Sequence, residues 1–162
     1  MKKISHLFIS FILLININAC AGYEPVFSSS NLKFKITDYS IIGDKKLGKQ
    51  IYSKLYNLSK STKDTSIAKN IYIVINVSKN KNATAKNSAG KILAYKINLS
   101  TKVVVKDFTT NNQILNESFV FSSSYKVQDQ HSETIRLQNR SIENLINETY
   151  QDLLVKLSEN IL

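Results

Sequence analysis

Few side chains in this 162-residue sequence have the chemistry to react, and those few are scattered. There is one thiol, Cys20, and of the two histidines only His131 lies beyond it. A Ser-His-Asp set would have to recruit His131 from the start of a helix, with no nucleophile elbow nearby. A surface histidine beside a helix N-terminus is the simpler reading. No group of His, Cys, Asp and Glu has metal-ligand spacing. A single cysteine excludes both a disulfide framework and a cysteine-rich zinc site. Glu143 and Glu148 are five apart and do not share a helical face. The four glycines are dispersed, so no loop is built to cradle a phosphate. The expectation is a protein without catalytic residues, metal or bound cofactor.

Cys20 gains a chemistry from what precedes it. Lys2 and Lys3 open the chain, and an apolar run from Leu7 to Ile17 follows. That run is too short for a membrane helix, which needs roughly 20 apolar residues. Asn16 and Asn18 would also be costly in lipid. The pattern predicts an export signal over 1–19. Ile17-Asn18-Ala19-Cys20 resembles the bacterial lipobox, with an aliphatic residue three before the cysteine and a small one immediately before it. Asn18 departs from the small residue commoner at its place. The resemblance implies a thioether-linked diacylglyceryl group on Cys20, cleavage before it, and acylation of the new amine. A free thiol would be a liability in an oxidising compartment. One acyl chain holds weakly at ~0.8 kcal/mol per buried CH2, whereas two or more anchor stably. Ala21 stands where an Asp would resemble an inner-membrane retention signal, so delivery to the outer membrane is implied.

Charge is the remaining functional signal. Lys and Arg number 22 and Asp and Glu 12, for a net +10; without Lys2 and Lys3 the balance is +8. Basic surfaces bind polyanions. An exported lipoprotein would not meet nucleic acid, and the abundant polyanion of an outer membrane is lipopolysaccharide. Lysines suit its phosphates as mobile point charges. The candidates are Lys79, Lys81 and Lys86 in a predicted loop, and Lys96, Lys102 and Lys106 on an open sheet face. The alternative is that these lysines only protect an exposed sheet and keep the domain soluble.

The elements that must position these side chains follow from periodicity. After Pro25, Ser28-Ser29-Ser30 reads as a flexible tether within 20–31. Leu32, Phe34 and Ile36 alternate with polar residues and predict a strand over 32–37. A turn is expected at Ile41–Asp44, with Asp44 capping a helix over Lys45–Ser59. Leu47, Ile51, Leu55 and Leu58 give that helix one apolar stripe, and Lys45, Lys46, Lys49 and Lys54 its solvated face. After a polar loop at 60–69, Ile71, Ile73, Ile75 and Val77 predict a strand at Asn70–Ser78. Residues 79–90 lack large aliphatics and read as a long mobile connection. From Lys91 to Lys106 the alternation sets Leu93, Tyr95, Ile97, Leu99, Val103 and Val105 against a polar face. At ~3.3 Å per residue it would run roughly 50 Å, so a bulge or bend is expected. After a turn at 107–112, Leu115, Phe119 and Phe121 mark a strand at Gln113–Tyr125. A final helix is expected from Ser132 as N-cap, with Glu133 favouring its dipole. Its apolar stripe comprises Ile135, Ile142, Leu145, Ile146, Leu153, Leu154, Leu157 and Ile161. The order β-α-β-β-β-α predicts an α+β two-layer sandwich over 32–162, a single domain. In it two helices cover one face of a four-stranded, mostly antiparallel sheet.

With these features assembled, the chain resembles the LPS-assembly lipoprotein family of Gram-negative outer membranes. Cys20 followed by Gly22-Tyr23-Glu24-Pro25-Val26-Phe27 is similar to that family's Cys-Gly-aromatic-x-Pro start, with Ala21 inserted, and the element order matches over most of 20–162. The resemblance implies a plug inside the LPS-assembly outer-membrane β-barrel, one that assists barrel folding and lipopolysaccharide insertion into the outer leaflet. It implies an anchor on the periplasmic side of the outer membrane. Only Cys20 carries over residue by residue. A second reading is a free-standing periplasmic lipoprotein that binds a lipid or an anionic envelope polymer. A deep apolar pocket would mark that case, and broad surface contact along the long strand would mark a plug. A lipid-anchored hydrolase using His131 is a third, weaker reading.

Overall fold

The computed structural model describes residues 32–61 and 68–161. The expected signal over 1–19, the lipidation site Cys20 and the tether over 20–31 lie outside the described residues. The elements run β1 (Phe34–Gly43), α1 (Lys45–Ser61), β2 (Lys69–Lys86), β3 (Ile92–Asp107), β4 (Gln113–Lys126) and α2 (His131–Ile161). The strands form one sheet in the order β1-β2-β3-β4. Parallel neighbours need a crossover connection, and α1 supplies it between β1 and β2. The remaining two pairs are antiparallel and follow as a meander. This is the expected α+β architecture, a mixed sheet with both helices on one face.

The period-two patterns explain which face the helices cover. Ile71, Ile73, Ile75 and Val77 of β2 are fully buried, as are Val103 and Val105 of β3, and Leu115 and Phe119 of β4 join them. Against this face α1 sets Leu47, Ile51 and Leu55, and α2 sets Leu145, Ile146, Leu153 and Leu157. Each such side chain stabilises the fold by about 1.5–3 kcal/mol through removal of apolar surface from water. Asp44 caps α1 as expected, its Oδ1 accepting from the N–H groups of Lys46 and Leu47 at 3.1 Å each.

Several expectations need correcting. Ile41 to Gly43 belong to β1 rather than to a turn, because they pair with Ile75 to Val77. The chain turns only at Gly43 (φ 78°), where any Cβ would run into the Val77 carbonyl that accepts from Asp44 N. Residues 79–86, read as part of a mobile connection over 79–90, continue β2 opposite Ile92–Leu99, and two register shifts near Ala85 supply the expected irregularity. The turn itself spans only 87–91, where Asn87 Oδ1 accepts from the N–H groups of Ala89 and Lys91. Finally, α2 begins at His131, so Ser132 is an exposed first-turn residue and not the N-cap. Thr134 Oγ1 instead accepts from Gln128 N at 2.8 Å and fastens the entry to the helix. Ile135 falls outside the buried stripe at 38% exposure, because small polar residues (Thr134, Ser141 and Thr149) take the sheet-facing positions beside it.

Candidate functional site

The six candidate lysines do not form one patch. Side chains alternate across a strand, and residues directly opposite in a ladder share a face. Lys96, Lys102 and Lys106 therefore stand on the sheet face that carries no helix, opposite Asn82, Asn76 and Tyr72 of β2. On the β4 side Lys96 is opposite Ser124, Lys102 opposite Ser118 and Lys106 opposite Gln113. Lys96 and Lys102 are exposed and Lys106 is half-buried. At ~3.3 Å per residue Lys102 and Lys106 are about 13 Å apart and Lys96 about 20 Å further on, so they form a row rather than a cluster.

Lys79 and Lys81 face the helices instead. Lys79 Nζ lies 3.9 Å from Asp44 Oδ2. Lys81 donates to Gln138 Oε1 at 2.7 Å and sits 4.1 Å from the centroid of the Tyr95 ring and 5.6 Å from that of Tyr125. Those two rings stack at 5.8 Å, and the Tyr125 hydroxyl donates to the same Gln138 oxygen at 2.8 Å. Lys81 is thus held by a ring pair and an amide, as a structural cation. Lys86 is exposed at the last rung of the β2–β3 ladder, opposite Ile92.

The uncovered face gathers more charge than sequence reasoning found. Lys35, opposite Asn70, and Lys126, opposite Ala94, join its basic residues. Asp38, opposite Tyr72, is its acidic residue among these rungs. Strand parity placed Lys96, Lys102 and Lys106 and equally places Lys35, between Phe34 and Ile36; Lys126 was missed because β4 runs one residue past the end expected at Tyr125. Around the lysines stand hydroxyls and amides: Asn98, Ser100, Asn116, Ser118 and Ser122.

A second basic feature lies on the helix side. A groove of about 770 Å3 between α1, α2 and Lys79 of β2 is lined by Lys46, Lys49, Lys54, Gln50, Asn139 and Glu143, among others. Three of the lysines read from sequence as a plain solvated face therefore border a shared concavity. Only the approach of α2 to α1 creates it.

No protein-family model matches the sequence, and neither does any curated protein sequence. Solved structures do match. The lipoprotein B of Nitrosomonas europaea superposes with a TM-score of 0.56 over 82% of this chain and 88% of its own, at 11% identity. A Caulobacter crescentus protein assigned as a lipoprotein does so with a TM-score of 0.52 over 75% and 88% of the two chains, at 15% identity. The fold is one that lipoproteins of Gram-negative bacteria adopt.

Within this fold the other ionisable groups are local fittings. Glu133 is held below the usual carboxylate range by its hydrogen bond from Arg136, helped by the charges of Arg136 and Arg140. Asp107 is lowered chiefly by the Thr110 N–H, with Thr109 N–H adding to it at the β3–β4 turn. Burial raises Tyr52, aided by Tyr39 and Tyr56, with which it forms a stack at centroid distances of 3.9 and 5.6 Å. His131 is exposed. Among the described residues, no three His, Cys, Asp or Glu side chains are grouped to hold a metal ion. Also among them, no helix is long and apolar enough to cross a membrane.

Proposed function

We propose that this chain is a lipid-anchored protein of the Gram-negative outer membrane, tethered at Cys20 on the periplasmic side. It acts without catalysis as plug and assembly partner of the LPS-assembly β-barrel, assisting lipopolysaccharide insertion into the outer leaflet. The observation that carries the reading is the uncovered face of the sheet: four strands with no helix over them among the described residues, surfaced by lysines, amides and hydroxyls with Ile42, Val74, Val104 and Val120 set among them. Such a face suits broad contact with a polar barrel wall and with phosphate-bearing lipid. The shared fold with lipoproteins and the lipobox-like Ile17–Cys20 support the anchor. The second reading, a free-standing lipoprotein that binds an anionic envelope polymer, is favoured by the basic groove between the helices. That groove is polar and open, unlike the mostly apolar, enclosing sites that hold lipid-sized ligands.

Photocrosslinking in intact cells separates the two. A crosslinker at Lys102 captures the barrel, and one at Lys46 on the groove does not. Recovery of no barrel protein from Lys102 overturns the proposal. Labelled palmitate that still enters Cys20→Ser overturns the anchor.

A further inference from the structure

The two ends of the sheet differ in what joins them to the rest of the chain. At one end Lys69 N donates to Lys33 O and Phe108 N to Asn70 O, which draws the starts of β1 and β2 and the β3–β4 turn together. Four lysines meet there, Lys33, Lys35, Lys69 and Lys106. Of the carboxylates nearby, Asp107 is turned onto its own backbone, its Oδ1 accepting from Thr109 and Thr110 N–H. Asp38 is opposite Tyr72, which is itself opposite Lys106. Phe108 is 51% exposed and belongs neither to the core nor to the residues packed against it. Nothing in the turn calls for an aromatic ring: Asp107 takes the hydrogen bonds and Asn111 the positive φ. The opposite end carries Lys86, Lys91, Lys126 and the exposed Leu93, so basic charge alone does not tell the ends apart. The path of the chain does. Cys20 lies 32 − 20 = 12 residues before Leu32, which is buried at the Phe108 end. Those residues span at most ~40 Å, so an anchor on Cys20 holds the Phe108 end within that distance of a bilayer whatever the domain's tilt. Leu93 is 108 − 93 = 15 residues from Phe108 along β3, or ~50 Å further off.

We propose that this end is a second membrane contact, the β3–β4 turn resting in the phospholipid headgroups of the leaflet that holds the anchor. Phe108 reaches the apolar boundary, and Lys33, Lys35, Lys69 and Lys106 face anionic lipid phosphates. An aromatic tip among lysines matches that layer, where rings sit at the boundary and ammonium groups stay in the wet, phosphate-bearing zone. One ring and four lysines bind reversibly on their own. The acyl anchor keeps them at a high local concentration, and they in turn fix which way up the domain stands. The strands then rise away from the bilayer. The inference rests on the anchor at Cys20 and on neither reading of the partner: in a plug and in a free-standing domain alike, the tethered end lies at the leaflet that holds the lipid.

The sequence has no tryptophan, so Phe108→Trp gives the chain a single indole and keeps an aromatic ring at the tip. Leu93→Trp is the matching probe at the far end. Both positions are exposed, so neither exchange disturbs the core. Each chain is extracted from its native membranes in detergent and returned to protein-free vesicles of phosphatidylethanolamine and phosphatidylglycerol with brominated acyl chains. The indole at position 108 emits to the blue and is quenched, and that at position 93 emits as in water and is not. Adding Lys35→Gln and Lys69→Gln lowers the partitioning of the tip by roughly fivefold for each lysine, while the chain still floats with the vesicles. Vesicles of phosphatidylcholine alone weaken the quenching in the same way. A chain that floats while position 108 stays as wet as position 93 overturns the proposal and leaves the anchor standing. A chain that does not float loses the anchor and the proposal with it. A blue shift at position 108 in native membranes but not in protein-free vesicles gives the tip to a protein partner and likewise overturns the proposal.

Discussion

From Ile71 to Val77, strand β2 alternates, and its four odd-numbered apolar side chains are 0% exposed; from Ser78 to Lys86 it is exposed throughout. The two halves are one continuous strand against β3. The first is specified by burial. The second is specified by its partner: β3 keeps its own alternation through Tyr95 and Ile97 and offers β2 a ladder, and Lys81 is pinned to Tyr95, Tyr125 and Gln138. A strand can thus extend beyond its own hydrophobic pattern where a neighbour and a few polar ties hold it.

The largest expected effect tests that division. Ile73→Ala in the buried half costs about 2–5 kcal/mol in chemical denaturation, from lost transfer energy and the cavity left behind. Asn80→Ala in the exposed half stays within about 0.5 kcal/mol. Equal losses at both positions would dissolve the contrast.

Two glycines beside the ends of these halves, Gly43 opposite Val77 and Gly90 in the turn after Lys86, give the next test. Gly43 and Gly90 both have positive φ, 78° and 79°. A Cβ at Gly43 meets the Val77 carbonyl, whereas one at Gly90 meets nothing within 4 Å. Gly90→Ala therefore costs only the left-handed conformation, about 1–2 kcal/mol. Gly43→Ala costs more, because backbone must also shift. Similar thermal midpoints for the two variants would mean that the packing at Gly43 is unimportant.

The ties on the exposed half give a smaller effect. Lys81→Ala removes the cation over the rings and its hydrogen bond, contacts of about 0.5–1 kcal/mol at an exposed site. Amide hydrogen exchange over 81–86 quickens several-fold while exchange over 71–77 is unchanged, since local opening is cheaper than global unfolding. Uniform quickening of both segments would show that the halves open together.

The same contrast explains what was legible in the sequence. The apolar alternation of Ile71–Val77 and Tyr95–Val105 located the core face of the sheet, while Leu93, read onto the same face, is 43% exposed at the register shift beside Ala94; the helical spacing of Leu47, Ile51 and Leu55 located the face of α1. Asp44 announced its own cap. The arm at 79–86 was illegible because its strand character belongs to β3. Ile135 was misplaced because apolar spacing alone overlooks Thr134, Ser141 and Thr149, small enough to pack against a sheet. The candidate site was legible in halves. Parity put Lys96, Lys102 and Lys106 on the open face. Lys79 and Lys81 stand among residues with no apolar alternation, so the sequence gives them no face, and the groove beside Lys46 and Lys49 exists only once two helices distant in sequence meet.

The smallest effect concerns the ends of the sheet, where two carboxylates stabilise in the same direction by different means. Glu133 in α2's first turn is lowered by Arg136, and Asp107 at the β3–β4 turn chiefly by backbone N–H groups. A carboxyl group lowered in the folded state contributes stability that is fully present above its unfolded value and is lost as pH falls through the folded one. The loss therefore begins below the ordinary values of 4.5 for Glu133 and 3.8 for Asp107. Salt distinguishes the two. The Glu133–Arg136 pair is exposed and screened, so its carboxyl resonance titrates closer to the ordinary value in high salt. Asp107 holds its donors through short backbone hydrogen bonds of 2.9 Å from Thr109 and Thr110, and its titration moves little. Carboxyl-carbon NMR at low and high ionic strength reads both. An Asp107 as salt-sensitive as Glu133 would show that the turn is held by charge, such as that of Lys69, and not by its own backbone.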